Sequence, residues 1–339
     1  MDTFIFSANA ILPLILLIAL GYGLKQIEFF DEAFLKKANA FVFNVALPGL
    51  LFYNVYSIDN LSELNWSVIT FVVLAILILF VLGMLTVKLC TSDPRKKGVI
   101  LQCIFRSNFA IIGIPLSEAL GGSKAVAIAA VISAFSIPLY NILAVVALSI
   151  YVEDPKGNKI GPKQILISIC KNPLIIGVAL GMMCLVIRGF IPYDEATRSY
   201  AFTLKTHLPF LHTAIKNISS IASPLALIVL GGQFRFSAVK ALAKDIMIGT
   251  VWRLIVAPLL ALSGALLLSQ HTQFIHFTTT EYPALITLFG TPVAVSSAIM
   301  AGAMGSDEEL AGQLVVWTSL LSMPSLFIII MLFRSMQLL

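Results

Sequence analysis

The run Phe105-Arg106-Ser107-Asn108-Phe109-Ala110-Ile111-Ile112-Gly113-Ile114-Pro115-Leu116 places a guanidinium and a carboxamide in the middle of an apolar stretch. A cation at the centre of a membrane helix costs about 2.5–3.5 kcal/mol on insertion scales, so it calls for a partner. No Asp or Glu is as deep as Arg106, and Glu118 is about three helical turns away. An external anion would serve, and so would carbonyls freed by a neighbouring broken helix. Gly113 permits unusual dihedrals, and Pro115 removes a backbone donor and crowds the preceding turn. Gly290-Thr291-Pro292, followed by Ser296 and Ser297, repeats this Gly-x-Pro pattern. Unwound backbone at membrane depth is tolerated only where it is buried in protein or faces water. Two interrupted helices crossing there would aim N-termini of roughly half a positive charge each at one point, which favours an anion.

Other polar groups lie at depth. Asn44, ahead of Pro48, is placed to donate to a substrate or to bond a neighbouring helix. Ser133, Ser136, Tyr140 and Asn141 surround Pro138 and would line a cavity or tie helices together. Arg253, beside Trp252, is expected nearer the basic face, reaching water by snorkelling. Asn44, Ser223, Thr291 and Ser296 are the oxygens from which a sodium site would be built. Cys90, Cys103, Cys170 and Cys184 stand singly, as packing residues do. His207, His212, His271 and His276 fall in loops or at segment ends, away from any buried proton path. Paired acids, a Ser/His pairing and metal-ligand spacing are missing, so the reading is of a non-enzyme with no cofactor and no metal.

These groups must be carried by membrane helices. The 339 residues are 59% apolar and 12% charged, with a mean hydropathy of +0.97; soluble proteins average about 25% charged. Ten spans of about 20 residues would consume most of the chain, leaving no room for a soluble enzyme domain or a nucleic-acid reader. Ten apolar stretches are read near 5–24, 36–57, 66–89, 98–119, 123–151, 164–188, 212–232, 243–269, 281–303 and 310–335. No basic residue precedes the first, which therefore reads as a retained helix and not a secretory signal.

Loop charge supports that count. The first, third, fifth and seventh connections carry fourteen of the 22 Lys and Arg: Lys25, Lys36, Lys37, Lys88, Arg95, Lys96, Lys97, Lys156, Lys159, Lys163, Lys171, Arg235, Lys240 and Lys244. Basic loops are cytoplasmic, which puts both termini outside. The polar connection 152–163 separates a first repeat, 1–151, from a second, 164–339. Pro13-Leu-Ile-Leu-Leu-Ile-Ala-Leu-Gly21 reads against Pro173-Leu-Ile-Ile-Gly-Val-Ala-Leu-Gly181, and Pro48 against Pro224. With five spans per half, the second repeat would be inverted, an arrangement that places substrate at the midplane of secondary transporters.

At Asn108-x4-Gly-Ile-Pro-Leu116, Phe43-x4-Leu-Pro-x-Leu-Leu-Phe52 and Leu225-Ala-Leu-Ile-Val-Leu-Gly231 the chain resembles the auxin efflux carrier family, which includes bacterial malonate-type permeases and plant PIN-formed carriers. The resemblance implies an all-α fold of ten transmembrane helices in two inverted five-helix repeats, similar to bile acid sodium symporters and commonly homodimeric. It implies a scaffold of spans 1, 2, 6 and 7, and a transport domain of spans 3–5 and 8–10 moving as an elevator about the crossover of spans 4 and 9. The substrate carboxylate is then expected at Asn108, with Pro115 and Pro292. This chain has Ser-Asn-Phe-Ala where many bacterial relatives have Gly-Asn-Thr-Gly, and Arg106 departs from the plant pattern, so auxin is not the expected substrate. The expectation is a plasma-membrane permease for a small mono- or dicarboxylate, with Arg106 for charge, Asn108 for hydrogen bonding, and Gly113, Pro115, Gly290 and Pro292 holding both helices open. Coupling is expected through membrane potential, sodium or a proton. A membrane-embedded sensor that binds without transport is the alternative.

Overall fold

The computed structural model describes residues 2–57, 66–152, 161–194, 199–271 and 277–339. Lys156, Lys159, Arg198, His276 and most of the connection 152–163 lie outside the described residues. Apart from a short antiparallel ladder, Tyr193–Asp194 with Ser199–Tyr200, the described chain is helical. In order, the helices are α1 (Asp2–Gln26), α2 (Glu32–Phe41), α3 (Leu47–Tyr56), α4 (Trp66–Cys90), α5 (Pro94–Phe105) and α6 (Ile114–Ser149). Then come α7 (Pro162–Lys171), α8 (Pro173–Arg188), α9 (Leu204–His207), α10 (Pro209–Gln233), α11 (Ala238–Val251), α12 (Ala257–His271), α13 (Tyr282–Gly290), α14 (Ser296–Ala303) and α15 (Glu308–Ser335).

Among the described residues, six continuous helices are long and apolar enough to cross a membrane: Glu32–Tyr56, Trp66–Cys90, Phe109–Ser149, Pro209–Gln233, Ala238–Gln270 and Glu308–Ser335. Leu12–Gln26 and Pro173–Arg188 are shorter apolar helices. The chain is therefore a multi-pass membrane protein. The ten expected stretches are all helical, yet they do not form ten uninterrupted rods. The fourth and ninth are broken, and α6 would be about 54 Å long if straight, beyond a hydrocarbon core of about 30 Å. It turns at Gly122, where φ 67° and ψ −159° suit glycine alone. The stretch expected at 164–188 is two helices, α7 and α8, because Pro173 cannot donate to the helix before it and Asn172 caps the next one, accepting from Leu174 N at 2.9 Å.

Proline shapes three further helices without breaking them. Val42–Ala46, Phe109–Gly113 and Trp252–Val256 are single π-helical turns, and Pro48, Pro115 and Pro258 each follow two residues after one. A proline ring clashes with the carbonyl four residues back and leaves it without its usual donor; widening the turn to five residues relieves that clash. The Leu254 carbonyl, four before Pro258, is bonded instead by Ser325 Oγ at 2.7 Å.

Helix crossings rest on glycines. Gly21 of α1 lies directly on the backbone of Ile228 in α10, and Gly231 of α10 on the backbone of Ile18. Gly177 of α8 lies on the backbone of Pro48, and a Cβ at Gly181 would meet the Phe52 carbonyl of α3 at 3.0 Å. Gly21 and Gly181 match in the internal similarity, and Ile228 and Phe52 each stand four residues after Pro224 and Pro48. The two crossings are thus built alike.

The connections of like charge gather at one end. Arg95 Nη2 donates to the Ser306 carbonyl at 3.3 Å, Asp307 N to the Arg95 carbonyl at 3.3 Å, and Gln313 Nε2 to the Arg235 carbonyl at 2.8 Å. Lys96 Nζ pairs with Asp245 at 2.9 Å. At the opposite end the Arg188 guanidinium lies over the Tyr56 ring, 4.7 Å from its centroid.

Candidate functional site

The two interruptions meet. Helix α5 ends at Phe105, and Arg106, extended at φ −91° and ψ 112°, starts the break. Helix α13 ends at Gly290, with Thr291 extended at φ −71° and ψ 155°. Ser107 and Val293 form an isolated antiparallel bridge, and Asn108 N donates to the Pro292 carbonyl at 2.8 Å. Val293 N donates to Thr318 Oγ1 of α15 at 3.2 Å. The unwound strands therefore satisfy part of their backbone by pairing with each other, as buried polar groups must.

The location of the first break differs from expectation. Gly113 has helical dihedrals of φ −66° and ψ −47°, Pro115 starts α6 behind a π turn, and Pro115 itself is exposed. Neither opens the helix. The chain leaves helical conformation at Arg106–Asn108, where no glycine or proline stands, because Pro292 and Val293 offer an alternative partner there. Pro292 does lie within its break.

Two arginines hold this crossing from different sides. Arg253 is fully buried and does not snorkel. Its Nε donates to the Thr291 carbonyl at 3.0 Å, its Nη1 to the Ile104 carbonyl at 3.3 Å, and its Nη2 to the Phe289 carbonyl. These carbonyls belong to the C-terminal ends of both broken helices, where the backbone carries partial negative charge. Arg106, 3% exposed, takes the other side. Its Nη2 donates to Asn141 Oδ1 and Ser296 Oγ, both at 2.9 Å, and its Nη1 approaches Met300 Sδ at 3.3 Å. Among the described residues neither guanidinium has a carboxylate within ion-pair distance.

A cavity of about 60 Å³ opens on the crossing, lined by Arg106, Asn108, Tyr140, Asn141, Ser223 and Ser296 together with Ser107, Asn54 and apolar groups from α3, α6, α8 and α10. A water needs about 10–15 Å³, so the cavity takes a few small polar atoms in its present shape. Asn108 Nδ2 is buried without a partner. Ser107 Oγ bonds Tyr140 OH at 3.3 Å. Gly113, Pro115, Gly290, Thr291, Pro292, Ser297 and Asn44 do not line it; Gly290, Thr291 and Pro292 shape it through the backbone. Ser133 and Ser136 are buried within α6.

Asn44 belongs elsewhere. It is exposed, donates to its own helix at the Ala40 carbonyl (2.8 Å), and lines a second, larger cleft. That cleft, about 1180 Å³, opens at the basic end between α1, α2 and α10 on one wall and α14 and α15 on the other. Asn44 and Leu47 are neighbours one turn apart, and Leu47 lines the small cavity, as Leu230 and Ala226 do for cleft and cavity on α10. The cleft and the cavity share no lining residue and lie about one helical turn apart along these two elements. Asn39 Nδ2 reaches Glu308 Oε1 across it at 3.2 Å. Of the oxygens expected to form a sodium site, Asn44 is in the cleft, Ser223 and Ser296 both line the cavity with Ser296 Oγ accepting from Arg106, and the Thr291 carbonyl accepts from Arg253 while its hydroxyl is buried without a partner.

Residues 6–330 match the family described as membrane transport protein. The chain belongs to this family, that of the auxin efflux carriers. An uncharacterized transporter of Methanothermobacter thermautotrophicus is 22% identical over 333 residues, covering 95% of this chain and 97% of the relative. The transporter's arginines and its Asn108 amide line or frame one crossing, which the sequence located; Ser107, Thr318 and Met300 were not singled out there. Met300 follows Ser296 by one helical turn, a spacing that would have revealed it. Thr318 carried no local signal.

Proposed function

We propose that the chain is a secondary carrier of a small organic anion, a mono- or dicarboxylate, bound at the crossing and moved by alternating access of elevator type. The observation that carries this reading is the buried, unpartnered Asn108 amide beside the Arg106 guanidinium in a cavity that has no carboxylate of its own among the described residues. A buried amide donor left unpaired costs about 1–3 kcal/mol, and a ligand carboxylate would recover it. With Arg253 neutralising the C-terminal ends, the N-terminal ends of the resumed helices and Arg106 leave the cavity positive.

The ten-span, inverted-repeat architecture is supported by the paired crossings at Gly21 and Gly181 and by the meeting of the two breaks. In this reading spans 1, 2, 6 and 7 form the scaffold, the others move, the basic end is cytoplasmic, and both termini are outside a plasma membrane. The large cleft is then the inward-facing approach. Transport is a potential-driven uniport, and the carrier works as a homodimer. Uptake of a carboxylate panel including malonate into proteoliposomes tests the site: Arg106→Ala and Asn108→Ala are expected to weaken apparent affinity, and unchanged affinity in both eliminates it.

A further inference from the structure

Resting on the carrier reading, we propose that the Arg253 guanidinium is a tethered cation occupying the place of a coupling ion, so that this chain's transport needs no sodium. In broken-helix transporters, unwound carbonyls and half-helix C-termini are what coordinate a coupling cation. Here the comparable carbonyls, Ile104 from one broken helix and Phe289 and Thr291 from the other, converge on Arg253. The side chain is fully buried, and no Asp or Glu pairs with it among the described residues. Among the described residues its hydrogen-bond partners are backbone carbonyls, the kind of ligand a sodium ion would use. The cation is delivered by α11 and its π turn Trp252–Val256, which packs on α5 and α15. Because the guanidinium is covalently held, it stays with the crossing in every state and carries no ion gradient into the cycle. Two further facts point the same way. The Thr291 carbonyl and the Ser296 hydroxyl, two of the oxygens a free ion would draw on, already accept from Arg253 and Arg106, while the Thr291 hydroxyl is buried without a partner. A second cation would also have to settle beside two guanidiniums.

The test reads melting temperature of the purified chain in detergent, and does not depend on knowing the substrate. Wild type is expected to melt identically in sodium and choline chloride; a sodium-specific rise overturns the proposal. Arg253→Ala is expected to melt lower and to be raised by millimolar guanidinium, and by neither urea, its neutral look-alike, nor an equal shift in Arg106→Ala. Equal responses to guanidinium and urea in Arg253→Ala overturn it. If Arg253→Ala does not fold, Arg253→Lys is read in its place: it keeps a cation, so it is expected to melt nearer wild type than Arg253→Met does, and equality of the two overturns the proposal. A chain that carries no anion at all would still show the guanidinium response, so this outcome is separate from that of the flux experiment on Arg106 and Asn108.

Discussion

Replacing Arg106 by methionine separates binding from stability. The guanidinium makes two bonds of 2.9 Å, to Asn141 Oδ1 and Ser296 Oγ, and both acceptors lose their donor in the variant. Asn141 is buried, and its acceptor left unpaired costs about 1–3 kcal/mol; Ser296 is half-buried and its hydroxyl costs less. Against this, the wild type bears a buried cation with no acidic partner among the described residues, whose desolvation costs several kcal/mol and disappears with the charge. Methionine also keeps most of the side-chain length. These opposing effects leave the empty protein changed by no more than about 2 kcal/mol. The bound state has no such offset. A charged hydrogen bond contributes about 1.5–3 kcal/mol, so apparent affinity for a carboxylate falls roughly 10- to 150-fold. Arg106→Lys keeps the charge but not the planar fork and falls between. The assay pairs thermal unfolding without ligand with competition by malonate and other carboxylates for uptake in proteoliposomes. Arg106→Met with wild-type affinity and a low melting temperature would refute the reasoning, since the arginine would then be structural alone.

Gly21→Ala and Gly231→Ala force a methyl group into the facing backbones of Ile228 and Ile18, whereas Gly23 has open space around it; overpacking costs about 1–3 kcal/mol or more, so both should melt well below Gly23→Ala. Lys96 has its pKa raised above 10.5, chiefly by its hydrogen bond to Asp245. That stabilisation is fully present below pH 10.5 and is lost as pH rises through the raised value. Lys96→Met should therefore cost on the order of 1 kcal/mol at neutral pH, with the gap to wild type closing in alkaline unfolding titrations.

The meeting of the two interruptions was legible because polar residues at depth are rare and Asn108 and Pro292 advertise it. The first break itself was misread. Gly113 and Pro115 are the local signal, but a π turn absorbs Pro115, and the chain unwinds at Arg106–Asn108 through bonds to Pro292 and Val293 that are far off in sequence. Similarly, Arg253 looked able to reach water from its position beside Trp252. Its carbonyl partners come from residues 104, 289 and 291, which no spacing rule brings together. Asn44 shows the reverse case: a mid-segment amide that faces the cleft and bonds its own helix at the Ala40 carbonyl. Helix ends were easier, because Asp93, Asn172 and Asp307 cap α5, α8 and α15 through contacts within three residues.

The most direct measurement is carboxylate flux in liposomes containing the purified chain under an imposed membrane potential. Saturable uptake that quickens with a positive interior and is lost in Asn108→Ala is the predicted result. Saturable binding of the same carboxylates with no flux at any potential would contradict it and leave a receptor in place of a carrier.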